Sequence, residues 1–225
     1  RAEFHDLMYE SLNFAGGKTS EDTRNPTGMD VGMGVRVSGI QKEFLQGNLK
    51  ETANPLDMAV EGKGFFKIIL PTGEEAFTRN GAFKLDEDGA MVTGKGYKLE
   101  PEIVIPTTVI DISIAEDGLV SALNPATGLT EEFGTITLTD FINPSGLTPL
   151  GSSLFMESEA SGAAVEGNAG TEAFGDIMQG TLESSNVKLV NEMVDLITAQ
   201  RAYEANSKAI STTDDMLDIV NRLKT

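Results

Sequence analysis

The stretch that decides the fold is residues 186–224, NVKLVNEMVDLITAQRAYEANSKAISTTDDMLDIVNRLK, which holds neither Gly nor Pro. Leu189, Leu196, Tyr203, Ile210 and Leu217 recur every seven residues, in line with Leu182 before them. Ala202, Ala209, Met216 and Leu223 form a second line with the same period. A seven-residue apolar repeat marks a helix that buries a seam against another helix. A helix of about 35–40 residues is about 55 Å long at 1.5 Å per residue. So long a stripe cannot be covered by the helix folding on itself. The spacing therefore predicts a partner helix, from this chain or another; packing on its own domain is the plainer alternative. Ser184 or Ser185 is the expected N-cap.

Upstream the pattern changes. Phe4, Leu7, Met8 and Leu12 fall at helical spacing, which predicts a helical opening. Residues 15–30, AGGKTSEDTRNPTGMD in full, read as a long loop; a loop of that length is uncommon in a compact domain unless it has a job. Val31, Met33, Val35 and Val37 alternate with Gly and polar residues and read as a strand. Short strands follow at 56–60, 65–70, 76–78, 82–85, 91–93, 109–115 and 119–123, with another around Thr135, Thr137 and Thr139. Pro71-Thr72-Gly73, Asn80-Gly81, Glu87-Asp88-Gly89 and Glu116-Asp117-Gly118 supply the turns. Regular short strands with Gly turns predict antiparallel sheet, partly barrel-like. Residues 158–175 read as loop. The fold class is α+β: a mainly β centre and a long C-terminal α-helix.

Composition narrows the function. The chain has 225 residues, no Cys, no Trp, one His, and 35 acids against 17 bases, a net charge of -18. Absence of Cys removes disulfides, thiol nucleophiles and zinc–thiolate sites. The charge argues against nucleic-acid phosphates and anionic membrane surfaces as partners. No apolar run of about 18 residues predicts membrane insertion. The acidity is local: residues 99–187 carry 14 acids and no Lys or Arg, whereas the terminal helix is nearly neutral. The charge thus predicts an acidic body and a nearly neutral packing helix. The chain opens on Arg1, not Met, and is read as lacking its natural N-terminus, so the partner helix is expected upstream.

Motifs of chemistry fail one by one. Gly32-Met33-Gly34 and Gly62-Lys63-Gly64 complete no phosphate-binding fingerprint. Asp86-Glu87-Asp88-Gly89 lacks the flanking acids of a calcium loop, since 84 and 95 are Lys. His5 has no Cys or second His with which to hold a transition metal. Paired carboxylates could run glycoside hydrolysis, so a secreted carbohydrate-active β enzyme is the alternative from another class. Against it, aromatic content is only 6% with no Trp. No catalytic residue, cofactor or metal is predicted.

Particular residues then carry a resemblance. Asn186 after Ser185, then Glu192-Met193-Val194, Leu196-Ile197 and the run Gln200, Arg201, Ala202, Tyr203, Glu204, Ala205, Asn206 resemble the C-terminal signature of the bacterial flagellar rod and hook axial proteins. Glu61-Gly62-Lys63-Gly64-Phe65-Phe66, Phe77-Thr78-Arg79-Asn80-Gly81-Ala82-Phe83 and Asn54-Pro55-Leu56-Asp57 are similar to the same family. The segment holding Thr19, Pro26, Thr27, Gly28, Gly32 and Gly34 looks like the insertion of the family's distal-rod branch, at residues 12–34. Hook and proximal-rod subunits are the alternative within the family.

The resemblance implies three regions: a connecting region at 1–52, a β-rich outer domain at 53–176, and at 177–225 the C-terminal helix of a discontinuous coiled-coil core. It implies a non-enzymatic structural subunit, passed through the flagellar export apparatus and assembled helically with copies of itself into a hollow shaft. It further implies contact with hook protein, proximal rod subunits and ring (bushing) proteins, in the basal body from periplasm to outer membrane. The heptad residues named above are the expected assembly interface, and the long loop is expected to lock neighbours.

Overall fold

A computed structural model describes residues 2–13, 27–125, 128–171 and 173–223. The chain opens with β1 (Ala2–Asp6) and β2 (Tyr9–Asn13), then β3 (Met29–Gly32) and β4 (Val35–Ile40). A short β5 (Leu49–Glu51) leads into β6 (Met58–Glu61), β7 (Phe65–Ile69), β8 (Glu75–Thr78), β9 (Phe83–Leu85), β10 (Met91–Thr93) and β11 (Lys98–Glu100). Then come β12 (Ile110–Ile114), β13 (Leu119–Asn124), β14 (Leu129–Thr135) and β15 (Thr137–Asp140). The remaining strands are β16 (Thr148–Gly151), β17 (Leu154–Met156), β18 (Val165–Asn168), β19 (Asp176–Gln179) and β20 (Thr181–Glu183), followed by the single helix α1 (Leu189–Leu223).

The opening is not helical. β1 pairs antiparallel with β4, placing Phe4 opposite Val37 and His5 opposite Arg36. β2 pairs with β3, with Tyr9 opposite Gly32. Two backbone bonds, Leu7 N–H to Gly34 O and Met33 N–H to Met8 O, join the pairs into one ribbon. The spacing of Phe4, Leu7, Met8 and Leu12 mimics a helix, but the second strand some 30 residues on supplies the hydrogen bonds a helix would have made. The expected strand at 31–37 is real but broken, because Gly34 takes φ +106° between its halves. Of the long loop, residues 15–26 lie outside the described residues, and 29 and 30 belong to β3.

The body is organised around β7. One edge pairs with β8; the other is shared, with β11 opposite residues 67–69 and β15 opposite Phe65 and Phe66. The sheet runs β16-β17-β8-β7-β11-β10-β9, with β15 and β18 branching from β7. The turns form where Gly and Asn predict them: Gly89 N–H bonds Asp86 O and Gly118 N–H bonds Ala115 O. A Cβ on Gly81 would lie 1.7 Å from Met58 O, so that turn admits glycine alone. The described strands form antiparallel sheets, as expected of the α+β class, and close no barrel among themselves. Residues 158–175 are not all loop, since β18 lies there and pairs with β15.

The core sits between these layers, with Met58, Val60, Phe66, Ile68, Phe83, Met91 and Ile105 among its buried residues. A second, smaller cluster gathers Phe65, Phe77, Phe141 and Leu147, with Phe44 and Phe155 against it. Its rings meet edge to face, Phe77 and Phe141 at 4.8 Å between centroids. Strands β19 and β20 return to the start of the body, pairing with β6 and β5. Leu182 is therefore a strand residue and not the first member of the heptad line. The helix begins at Leu189, three residues later than expected. Ser185 Oγ accepts from Val187 N–H in the turn before it, and the first helical bond runs from Glu192 N–H to Lys188 O.

Candidate assembly surfaces

α1 runs for 35 residues, about 53 Å at 1.5 Å per residue. Glu192 in its first turn and Arg222 in its last suit the helix dipole. Every heptad residue with a described side chain is exposed: Leu189 at 73% and Tyr203 at 75%, with Leu196, Ile210, Leu217 and Met216 more than half exposed. Ala202 and Ala209 are exposed beside them; Leu223 ends the helix. The structure thus places both heptad lines on α1 and leaves their described side chains uncovered among the described residues.

The signature residues divide by role. Gln200 donates to Glu204 Oε1 at 3.3 Å, one turn apart on the exposed helix. Arg201 and Asn206 are also exposed. Asn186 acts elsewhere: its Nδ2 donates to Glu43 O at 3.2 Å and Leu45 O at 2.9 Å, tying the approach to α1 onto the incoming connector. An open cleft of about 720 Å³ lies there, with Gln41 and Leu45 facing Val187, Asn191 and Val194.

The ribbon is the second uncovered surface. Phe4, Met8, Val31, Met33, Val35 and Val37 are all exposed on it. The register puts Phe4 with Val37 and Asp6 with Val35 on one face of β1–β4, and His5 with Arg36 on the other. At about 3.3 Å per residue, twelve residues make an arm of about 40 Å. Gly32 packs under the Tyr9 ring at 3.3 Å from where a Cβ would sit. The Asp6 carboxylate, by hydrogen bond and by charge, holds the Tyr9 hydroxyl above its ordinary pKa. Thr27 and Gly28 approach β3; Thr19 and Pro26 lie outside the described residues.

No group of three or more His, Cys, Asp or Glu among the described residues could hold a metal ion. No described helix is long and apolar enough to cross a membrane. The buried charges are spent on the fold. Lys67 is 8% exposed, with its Nζ 2.6 Å from Glu166 and 3.5 Å from both Glu75 and Glu100. Burial pushes its pKa down, but the bond to Glu166 and the charges of Glu100, Glu166 and Glu75 outweigh it and hold the amine above its ordinary value. Arg79 pairs with Glu183 at 2.7 Å. Neither cluster is visible to sequence reasoning as a constellation, because Arg79 and Glu183 stand 104 residues apart. A lysine inside the apolar run Phe65–Ile69 is the one local signal for the Lys67 cluster.

The matches with known proteins fit this layout. Residues 59–122, in the body, match the flagellar hook protein FlgE/F/G D1 domain. Residues 178–223, holding β20 and α1, match the flagellar basal body rod FlgEFG protein C-terminal domain. Flagellar basal-body rod protein FlgG of Borreliella burgdorferi is 46% identical over 226 residues, covering 100% of this chain and 85% of that protein. Its Caulobacter vibrioides counterpart is 44% identical, covering 100% and 86%. The Bacillus subtilis protein of the same name is 36% identical over the same shares. The chain belongs to the flagellar basal-body rod protein family. It is a structural subunit of the rod in the flagellar basal body, and assembles with other components of that body.

Proposed function

We propose that the chain is a subunit of the distal rod, assembling helically with copies of itself into a hollow shaft that carries motor torque to the hook. The observation that carries this reading is the uncovered heptad surface of α1, from Leu189 through Leu196, Tyr203, Ile210 and Leu217. Helices in proteins draw most of their stability from packing an apolar face, so a 35-residue helix with this stripe is built to be covered. On this reading a helix preceding residue 1 and neighbouring subunits cover it, and α1 lies in the inner wall of the tube. The ribbon, with the segment 12–34 at its end, reaches out to lock neighbouring subunits. The acidic stretch 99–187 faces outward, where like charge keeps the surface from sticking. The subunit acts mechanically and catalyses nothing. Its partners are the export apparatus that delivers it, proximal rod subunits below, hook protein above and the ring (bushing) proteins around it. No observation favours the hook or proximal-rod alternative.

Electron microscopy of the full-length subunit tests this. Leu196→Asp puts a charge into the seam, and rods are expected to vanish while the melting of the β body stays as in wild type. Deleting residues 15–30 is expected to leave the body folded and the rods bent or soft. Normal rods from Leu196→Asp would remove the seam, and equally straight rods from the deletion would remove the locking role.

A further inference from the structure

Two segments leave the β body side by side: the incoming connector of residues 41–48, and residues 184–188, which lead out into α1. A pair of side chains, Arg79 and Glu183, sits where both are rooted in the body. Arg79, just past β8, donates from Nε to Glu183 Oε2 at 2.7 Å, from Nη1 to Gly64 O at 3.1 Å, and from Nη2 to Val60 O at 3.2 Å and Gly62 O at 2.9 Å. Four of its five N–H donors are thus placed. The other oxygen of Glu183, Oε1, accepts from Gly47 N–H at 2.8 Å. Gln46 binds the same turn of the body, donating to Val60 O and accepting from Gly62 N–H. The segments are in backbone contact here: Ser184 N–H bonds Asn48 O, and a Cβ on Gly47 would lie 1.8 Å from Ser184 O.

We infer that Arg79 and Glu183 form a pin that fixes the direction in which α1 leaves the body, so that body and helix move as one piece. The side chains are only 19% and 11% exposed, and little water competes for their hydrogen bonds. A planar fork reading three carbonyls and a carboxylate fixes orientation, which a single ammonium cannot do. Glu183 stands six residues before Leu189, the first residue of α1. The lever is long: ten degrees of play at the root moves the far end of a helix of about 53 Å by about 9 Å. A shaft built from such subunits stays straight only if that angle is held. The mechanical meaning rests on the rod reading; the pin itself does not.

The chain has no Cys, so Thr107→Cys on the body and Ala199→Cys on α1 take spin labels specifically, and pulsed electron resonance reads the distance between them. Glu183→Gln removes the charge and keeps the shape; Arg79→Lys keeps the charge and removes the fork. Each is expected to widen the distance distribution at least about twofold and to speed amide exchange at Gly47 and Ser184 by about tenfold or more. Exchange at the core amides of Phe66 and Ile68 is expected to stay unchanged. Distributions as narrow as wild type in both variants would overturn the inference. If one variant also loosens the core, the other decides; if both do, the pair is a folding element and the inference falls. Full-length wild-type protein that forms no rods, while both variants still widen the distance, would count against the proposed function and leave the pin standing.

Discussion

The β body and the two arms that leave it use the same apolar residue types to opposite ends. In the body, Phe66, Ile68 and Phe83 are fully buried and Phe77 nearly so. On the arms, Phe4, Met8, Val37, Leu196, Tyr203 and Ile210 stand in water. The body covers most of its large apolar residues itself, because its strands find antiparallel partners within the fold. Among the described residues the ribbon's strands pair only with one another and no layer covers them, and α1 has no facing helix. A two-stranded ribbon or a lone helix gains little stability from hydrogen bonds alone. The difference teaches where folding stops and assembly starts. The body is a finished unit, whereas the arms are finished only by what covers them.

The strongest way to break that contrast is to open the body. Phe66 packs edge to face on Phe83 at 5.4 Å between ring centroids and belongs to the main core cluster. Phe66→Ala removes a fully buried ring, with an expected loss of about 3–5 kcal/mol. Whole domains hold only about 5–15 kcal/mol, so urea denaturation followed by circular dichroism should show a markedly earlier transition of unchanged slope. A comparable truncation on the uncovered arm, Ile210→Ala, should leave the body's transition in place. Equal effects at the two sites would mean that α1 shares the body's core.

The contrast also explains what was legible in the sequence. The heptad lines of α1 and the alternating strands around Phe65, Met91 and Leu119 are readable because each signal lies inside one element. The Gly turns after Asp86 and Ala115 are readable for the same reason. The ribbon is not: Phe4, Leu7, Met8 and Leu12 fit a helix locally, and only the distant pairing with residues 29–40 makes strands of the segments that hold Phe4 and Leu12 and joins them through Leu7 and Met8. Strands β16 to β20 are three or four residues long, too short to show a period, and partner edges create them. The heptad surface is legible as residues, while the pin that aims it is not. Glu183 is one of 35 acids, and nothing near it in sequence points to Arg79.

A middle-sized effect sharpens the comparison from the side of charge. The body encloses even an ammonium group, Lys67, by giving it three carboxylates. Lys67→Met keeps the buried stem and leaves Glu75, Glu100 and Glu166 without their cation. Those carboxylates reach water, so the expected cost is about 1–2 kcal/mol, below that of a fully buried broken pair. The sign with pH is fixed by the raised pKa of the amine. Its contribution is fully present below its ordinary value of 10.5 and is lost as pH climbs through the higher folded value. Melts at pH 8 and pH 11 should therefore show wild type and Lys67→Met apart at the first and converging at the second. A gap that stays constant would assign the cost to packing of the stem and not to charge.

The smallest effect probes how finished the body is. Thr139 lies on β15, opposite Phe65 on β7 and Glu166 on β18. It is fully buried, and its Oγ1 is the one buried side-chain polar atom without a partner among the described residues. A hydroxyl taken out of water without a hydrogen bond costs about 1–3 kcal/mol, and β-branched Val keeps the shape and suits a strand. Thr139→Val should therefore stabilise the body by about 1 kcal/mol, raising the melting midpoint by about 2–4 °C. Thr139→Ser keeps the unpaired hydroxyl, loses the methyl and should move the midpoint the other way. Rod assembly should be indifferent to both, because Thr139 touches neither arm. A drop in stability for Thr139→Val would mean that the hydroxyl is satisfied in solution by a bound water, and the body would then hold one more polar contact than its side chains provide.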